Sequence, residues 1–418
     1  MRVLLLNWRD IKHPAGGGAE VWAHRVAEGL VELGHTVTFH TAAVEGEPKR
    51  ETINGVEVVR AGSRLGVYGA AKKFYKAHST DFDVILEEIN TKPFFAHRWG
   101  KTPTVPMIHQ VAKEIWQFEA PLPIALIGRF VLEPMWLRRF QQRHVMTLSP
   151  SSAESLREYG ISDLSIVLPG SDDNEVKYRP KSAVPVVCFL GRLVKSKRPD
   201  HAVAAFRILR ETFPDAELWI MGAGPMADRL KGEVPEGVRL LGHVSSVERQ
   251  ERLASAHVLV TTTVREGWGL NVSEAAALGT PTIGYNAPGL VDSISMSGGI
   301  TVDQDPEKLG RALAAFFRGE LKLQPRIATQ SWSDVCRQIE GELETAKGQS
   351  RFIAFLDIWA SIKDARNQIY EATLSYFQDL INRNTVLDIL PCLRGDGLRR
   401  RMNKVLLMDL DLRHRPRC

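Results

Sequence analysis

"HVLVTTTVREGWGLNVSEAAALGTP", residues 257–281, decides how the rest of the chain is read. Its first seven residues are a β-branched apolar run of buried-strand type. A glycine-rich turn follows, then a helix-like stretch that Gly279 ends, with Pro281 beyond it. Strand, glycine turn and helix in succession are the unit of a parallel sheet with helices on its faces. Two carboxylates in this stretch serve no core. Asn271 reads as the N-cap of the helix, and Glu274 reads either as the returning carboxylate of a capping box or as a ligand group. Glu266 precedes the helix, where no capping role exists. It is either a solvated loop acid or a carboxylate that accepts hydrogen bonds from ligand hydroxyls, each worth roughly 1.5–3 kcal/mol. Gly267 and Gly269 let the backbone approach a ligand, and the helix start offers free N–H groups, an anion site suited to a diphosphate. Hydroxyls at both ends and phosphates between them describe a nucleotide sugar.

The same unit recurs on both sides of this stretch. "RVLLLNW" (2–8) leads through "GGGAE" (16–20) to a helix with apolar Val21, Val26, Leu30 and Leu33, which Gly34 stops before the strand "HTVTFHT". "DVILEE" (83–88), "TVPMIHQ" (104–110) and "HVMTLS" (144–149) continue the alternation. After a loop at 167–180 the pattern restarts with "VPVVCFLGRL" (184–193), a helix at about 199–213, "AELWIMG" (216–222) and "VRLLGHV" (238–244). The expected fold is therefore α/β: two doubly wound, Rossmann-like domains facing across a cleft, the first over 1–168 and the second over 169–347, with a helical C-terminal extension at 348–418. Ligands of such sheets bind at the carboxyl ends of the strands. In "FLGRLVKSKRPD" (189–200), Gly191 ends the strand, and Arg192 and Lys197 are placed to meet charge developing on a diphosphate leaving group. Lys195 and Arg198 read as solvated turn charges.

Composition excludes several classes. With 44% hydrophobic and 25% charged residues in 418, the chain is globular and too long for one core. Four scattered cysteines without CxxC spacing indicate neither a disulfide framework nor a zinc site, and a reduced, cytoplasmic setting is expected. "MRVLLLNWRD" is too short an apolar run for a signal peptide. Residues 348–418 carry 12 Lys/Arg against 8 Asp/Glu, so +4 of the net +5 sits there. The nearly neutral body argues against nucleic acid as a partner.

"GGGAE", "LGRLVKSKRPD", "LGHVS" and "REGWGLNVSEAAALGTP", in this order, resemble the retaining glycosyltransferases of family 4, which have the GT-B fold; the resemblance covers about residues 1–347. Its most specific element is the pair Glu266 and Glu274, separated by seven residues. The resemblance implies that Glu266 holds donor-sugar hydroxyls, Glu274 holds the ribose, and Arg192 and Lys197 bind the diphosphate. It implies that Gly269, Leu270 and Asn271 face the sugar and distal phosphate through their backbone, and that His243 and Val244 pack the base. Gly16, Gly17 and Gly18 would open the first helix near the diphosphate, with Glu20 serving either to cap that helix or to position the acceptor. His109 corresponds to the family's cleft histidine near the anomeric carbon, and "EIN" (88–90) borders the same cleft. The implied reaction is a front-face substitution needing no metal or other cofactor, and no DxD metal motif is seen. "SDD" (171–173) reads as a structural turn. The donor is a UDP-sugar by default, with GDP-, ADP- and dTDP-sugars open. The acceptor is a glycan, a lipid-linked hydroxyl or a small molecule in cell-envelope polysaccharide or glycolipid synthesis.

"SWSDVCRQIEGELETA" (331–346), with Trp332 near its start, resembles the family's closing helix, which returns toward the first domain. Residues 348–418 match nothing in the family. They read as a tail for a membrane surface or partner, or as a helical hairpin on the body. Segment 111–143, with Trp116, Phe118, Trp136, Arg138, Arg139 and Arg143, either receives a lipid-linked acceptor at a membrane face, giving peripheral contact, or is ordinary core. Two other functions stay open: a nucleotide-sugar epimerase on the same fold, and a non-catalytic subunit that binds nucleotide sugar or a partner.

Overall fold

The computed structural model describes residues 1–350 apart from 15, 173, 174 and 329, and beyond them only Glu371 and Ser375. Asp173 of the linker turn and the remainder of the extension at 351–418 lie outside the described residues. Two sheets carry the fold. The first contains β1 (Arg2–Leu6), β2 (Thr36–Thr41), β3 (Arg50–Ile53), β4 (Val56–Arg60), β5 (Val84–Ile89), β6 (Thr104–Ile108), β7 (Val145–Thr147) and β8 (Leu164–Ile166), in the order β3-β4-β2-β1-β5-β6-β7-β8. All neighbours are parallel except the β3–β4 hairpin. That hairpin turns through Asn54 and Gly55, both at positive φ (48° and 82°), the backbone that a two-residue turn between twisted strands demands.

The second sheet contains β9 (Val186–Leu190), β10 (Glu217–Met221), β11 (Val238–Gly242), β12 (Val258–Thr261), β13 (Thr282–Tyr285) and β14 (Ile300–Val302), wholly parallel in the order β11-β10-β9-β12-β13-β14. Both sheets are GT-B Rossmann-like layers, as expected. Alternation along each central strand feeds two cores. Val3 and Leu5 join the cluster of helix α1 (Gly18–Glu32), whereas Leu4 and Leu6 join that of α2 (Val67–Ala77). In the second sheet, Val187 and Phe189 pack with α7 (Pro199–Thr212), and Val186 and Cys188 lie on the opposite face.

The buried face of α1 differs from the expected one. Trp22, Ala23, Val26, Ala27 and Leu30 point inward, while Val21 is 44% exposed. Val26 and Leu30 keep the inward positions the apolar spacing gave them, and Trp22 takes the core position expected for Val21.

Between β6 and β7 lie α3 (Ile115–Glu119), α4 (Leu122–Ile127), one π turn at Gly128–Leu132 and α5 (Glu133–Leu137). Buried Glu133 accepts the N–H groups of Ala112 (2.5 Å) and Lys113 (2.8 Å) and the Trp116 indole N–H (3.2 Å), which staples the segment to the body. Its other face is open: Leu122, Ile124, Ile127, Phe130 and Val131 are 52–67% exposed. Past β7 comes α6 (Pro150–Arg157); the second domain adds α8 (Ala227–Glu233), α9 (Ser246–Ser255), α10 (Leu270–Ala277), α11 (Leu290–Met296) and α12 (Pro306–Phe317).

A last helix, α13 (332–350), crosses back to the first sheet, where Val335, Ile339 and Leu343 enter the α1 core. Contact with α1 is close enough that a Cβ on Gly29 would lie 2.2 Å from the Cys336 sulfur. His35 and Glu340 pair at 2.7 Å along the same seam. Residues 1–350 accordingly form one compact unit. No helix among the described residues is long and apolar enough to cross a membrane.

Candidate active site

The carboxyl ends of both sheets face one another. From the first domain, α1 begins after Gly17, which has no side chain to cap it. Glu20 does so instead, its Oε2 accepting the Gly17 N–H at 2.7 Å while Oε1 holds Arg9 at 2.9 Å. Of the two readings of Glu20, the structure shows the cap. A Cβ added at Gly17 would stand 4.0 Å from Arg192 Nε, and one at Gly18 would stand 3.4 Å from Leu270 Cδ1. Gly17 and Gly18 therefore lie against the donor-side residues, whereas Gly16 faces the His13 and Asp10 carbonyls of its own loop.

His109 follows β6 and is 3% exposed. Its Nε2 bonds the Glu88 carboxylate, and Trp22 meets its ring edge-on at 5.3 Å. Among the described residues, Nδ1 has no hydrogen-bond partner. Burial pushes the Glu88 carboxyl upward while His109 draws it back down. Trp22 carried no functional signal in the sequence, because it sits among the core residues of an amphipathic helix.

From the second domain, Gly191 follows β9, and Arg192 is exposed on the loop. Lys197, from the same loop, forms an ion pair with Glu266 of the 265–269 turn. Two threonines past β12 fix that loop: Thr262 Oγ1 donates to the carbonyls of Lys197 and Arg198 (both 2.8 Å), and Thr263 Oγ1 donates to that of Ser196 (3.1 Å). Sequence reading passed over both as strand filler. Arg198 is not a solvated charge: it bonds Gln304, and its guanidinium lies 5.4 Å from the Tyr285 ring centroid and 5.8 Å from that of Phe118.

The capping assignment for α10 is overturned. Gly269, at φ +95°, is the N-cap, and no side chain caps the helix. Asn271 instead donates to the Leu190 carbonyl at 2.9 Å, tying α10 to the end of β9. Glu274, inside α10, makes no capping bond; it lies 3.6 Å from Arg249 Nε with 37% of its side chain open. Its carboxyl is pushed up by its recessed position and pulled down by Arg249. Exposed His243 and half-buried Val244 follow β11 at the outer edge of the sheet, where Val244 packs beneath α9 and α10.

The glycines of the turn serve the domain contact as much as a ligand. A Cβ on Gly267 would meet the His109 carbonyl at 2.7 Å and Leu148 Cδ1 at 3.1 Å. Ser152 Oγ sits within 3.4 Å of both the His109 and the Gly267 carbonyls. Nearby, Ser151 bonds Asp292 and accepts the Gly289 N–H at 2.6 Å. Arg265 reaches Glu114 (2.8 Å) and Ser155 (3.1 Å), and Ser196 bonds Glu119. Trp268, 1% exposed, belongs to the first domain's core although the second domain supplies it. Among the described residues no group of three or more His, Cys, Asp or Glu is placed to hold a metal ion.

Two family models match the chain: "Glycosyltransferase Family 4" over residues 16–175 and "Glycosyl transferases group 1" over residues 171–331. Glycogen synthase of Mycobacterium tuberculosis is 26% identical over 340 residues, covering 70% of this chain and 80% of that protein. Sucrose-phosphate synthase of Thermosynechococcus elongatus has the same fold, with a TM-score of 0.65 at 17% identity, covering 86% of this chain and 99% of that one. HepE of Anabaena, solved with UDP-glucose, superposes with a TM-score of 0.54 at 14% identity, covering 85% and 99%.

The Gly267 contact generates a stability prediction. Gly267→Ala should cost about 1–3 kcal/mol, as over-packing does, because the obstacle is backbone, whereas Gly18→Ala, facing the flexible Leu270 side chain, should melt close to the wild type. Equal melting temperatures for the two variants would contradict the contact.

Proposed function

The chain belongs to glycosyltransferase family 4, and from that premise we propose that it moves a hexose from a nucleotide-diphosphate sugar to an acceptor hydroxyl with retention of anomeric configuration. The observation that carries this reading is the Lys197–Glu266 pair beside the start of α10. A cation for phosphate and a carboxylate for sugar hydroxyls are already held together there, at the carboxyl end of the second sheet, opposite His109.

In this reading the bond from the anomeric carbon to the distal phosphate breaks on the face where the acceptor oxygen bonds. The departing phosphate takes the acceptor's proton. Arg192, Lys197 and the N–H groups of Leu270 and Asn271 meet the charge that accumulates on the leaving group, and fixed donors of this kind lower the barrier most. With those cations supplying the stabilisation, the reaction needs no metal. Glu266 holds donor-sugar hydroxyls, Glu274 the ribose, and His243 and Val244 flank the base. His109 lines the sugar, oriented by Glu88. Gly17, Gly18, Gly191 and Gly269 allow the backbone to close on the diphosphate. UDP is the first choice of nucleotide, supported by the UDP-glucose bound to HepE on the same fold; GDP, ADP and dTDP follow. The acceptor belongs to cell-envelope polysaccharide, glycolipid or related glycoconjugate synthesis, on the cytoplasmic side.

Variants separate these roles. Lys197→Ala should lower kcat by about 10²–10³-fold, the range for losing one fixed donor at developing charge, and Glu266→Gln should fall comparably with the fold intact. EDTA should leave the rate unchanged. Undiminished transfer in both variants would remove the pair from the reaction, and abolition by EDTA would refute metal independence.

The exposed apolar face from Leu122 to Met135 supports a peripheral station at a membrane. Arg138, Arg139 and Arg143 are exposed beside it, and the one acid within 121–143, Glu133, is buried and occupied by N–H groups. Full-length protein should float with anionic lipid vesicles, and Ile127→Asp with Phe130→Asp should abolish flotation. Flotation unchanged in that double variant would place the contact elsewhere.

A further inference from the structure

Four residues far apart in sequence meet at the outer lip of the first domain's carboxyl edge. Trp8 follows β1, Arg64 comes from the turn between β4 and α2, Tyr68 from the first turn of α2, and Lys92 from the loop after β5. The Arg64 guanidinium lies 5.6 Å from the Trp8 ring centroid, and that of Arg9 lies 4.1 Å from the same ring. Lys92 Nζ stands 4.3 Å from the Tyr68 ring centroid. Arg9 is in electrostatic reach of both Arg64 and Arg192, so the cations run from the donor loop outward.

Aromatic faces hold Arg64 and Lys92 in place but do not neutralise them. The neighbouring acids are all committed. Asp10 accepts from Arg60 Nε (2.7 Å) and the Lys12 N–H (3.2 Å). Glu20 is held by Arg9 and the Gly17 N–H. Buried Glu87 takes the N–H groups of Phe95 (2.8 Å) and Ala96 (3.0 Å), and Glu88 takes His109. Among the described residues, neither Arg64 nor Lys92 has a carboxylate partner.

The turn that carries Arg64 is stiff. Gly62 has φ +81°, a Cβ there would lie 2.6 Å from the Gly66 carbonyl carbon, and Ser63 Oγ accepts the Gly66 N–H at 3.2 Å. At the end of β1, fully buried Asn7 accepts from Asn90 at 3.2 Å, while among the described residues its own Nδ2 donor has no acceptor. Preorganised, unneutralised cations beside a catalytic cleft are complementary to a compact dianion.

We propose that this lip binds a phosphomonoester on the acceptor, through Arg64 and Lys92 with Trp8 and Tyr68 as their supports. The acceptor is therefore a phosphorylated sugar or polyol, or a phosphate-bearing lipid headgroup. The proposal rests on the transferase reading and adds the acceptor's chemical class to it.

The test uses the full chain saturated with UDP, so that added phosphate reports on a second site. Inorganic phosphate and glycerol 3-phosphate should bind saturably, with affinity at least fivefold weaker in Arg64→Ala and in Lys92→Ala, while UDP affinity stays within twofold of wild type. In a parallel arm, phosphatidylcholine vesicles with and without phosphatidic acid are compared for the same variants. A variant-sensitive response to the soluble esters assigns a soluble acceptor, and one confined to phosphatidic acid assigns a headgroup; either supports the site. If UDP binds but neither arm responds to the two substitutions, the proposal is overturned alone. If UDP itself does not bind, the transferase reading fails, and the proposal with it.

Discussion

The cleft depends on one close approach: the carbonyl of His109, at the end of β6, against the α-carbon of Gly267 in the turn after β12. Only a residue without a Cβ fits at that distance. The contact brings the buried His109–Glu88 pair of the first sheet to the turn that carries Glu266 in the second. Ser152 lies between the two carbonyls, the Ser151–Asp292–Gly289 bonds lock α6 to α11, and Trp268 extends from the turn into the first domain's core. α13 closes the remaining side by packing on α1. The site is thus a consequence of how the two halves dock, and each half alone would hold only part of it.

Charge inside the cleft follows from that docking. The first domain supplies carboxylates that are capped, paired or buried, so its free charge is positive. The second supplies Arg192, the Lys197–Glu266 ion pair and the start of α10, with Glu274 inside that helix. In the proposed reading, phosphate pairs with these cations and sugar hydroxyls with these carboxylates. Glu274 retains capacity for such a ligand because Gly269, rather than a side chain, begins α10.

Much of the fold was legible. Repeated strand–turn–helix units fix a doubly wound sheet because each element type has its own apolar period, and that period was readable in β1, β2, β5, β6, β7 and β9 to β12. The β3–β4 hairpin was missed although Asn54–Gly55 is a strong turn signal, because attention to parallel units passes over an antiparallel edge. The strands β8 and β14, at three residues each, are too short to show a period. In the site, Glu266, Lys197 and His109 were readable since each is a chemically demanding residue next to a glycine or a strand end. Trp22, Ser151 and Asp292 were not. Their roles depend on contacts across 87 and 141 residues of sequence, and nothing local distinguishes them from core or capping residues. Asn271 misled because its type suits an N-cap, yet the αL conformation of Gly269 had already begun the helix.

The central claim is that the turn at 265–269 and the loop at 191–198 together grip a nucleotide-diphosphate sugar. Its most direct test is binding of the purified chain to a panel of UDP-, GDP-, ADP- and dTDP-sugars, followed by thermal stabilisation and by slow donor hydrolysis in the absence of metal. One donor that both raises the melting temperature and is hydrolysed, with both effects lost in Glu266→Ala, is the predicted result. A panel in which no donor stabilises the protein, or in which Glu266→Ala binds and hydrolyses as the wild type does, would contradict the account.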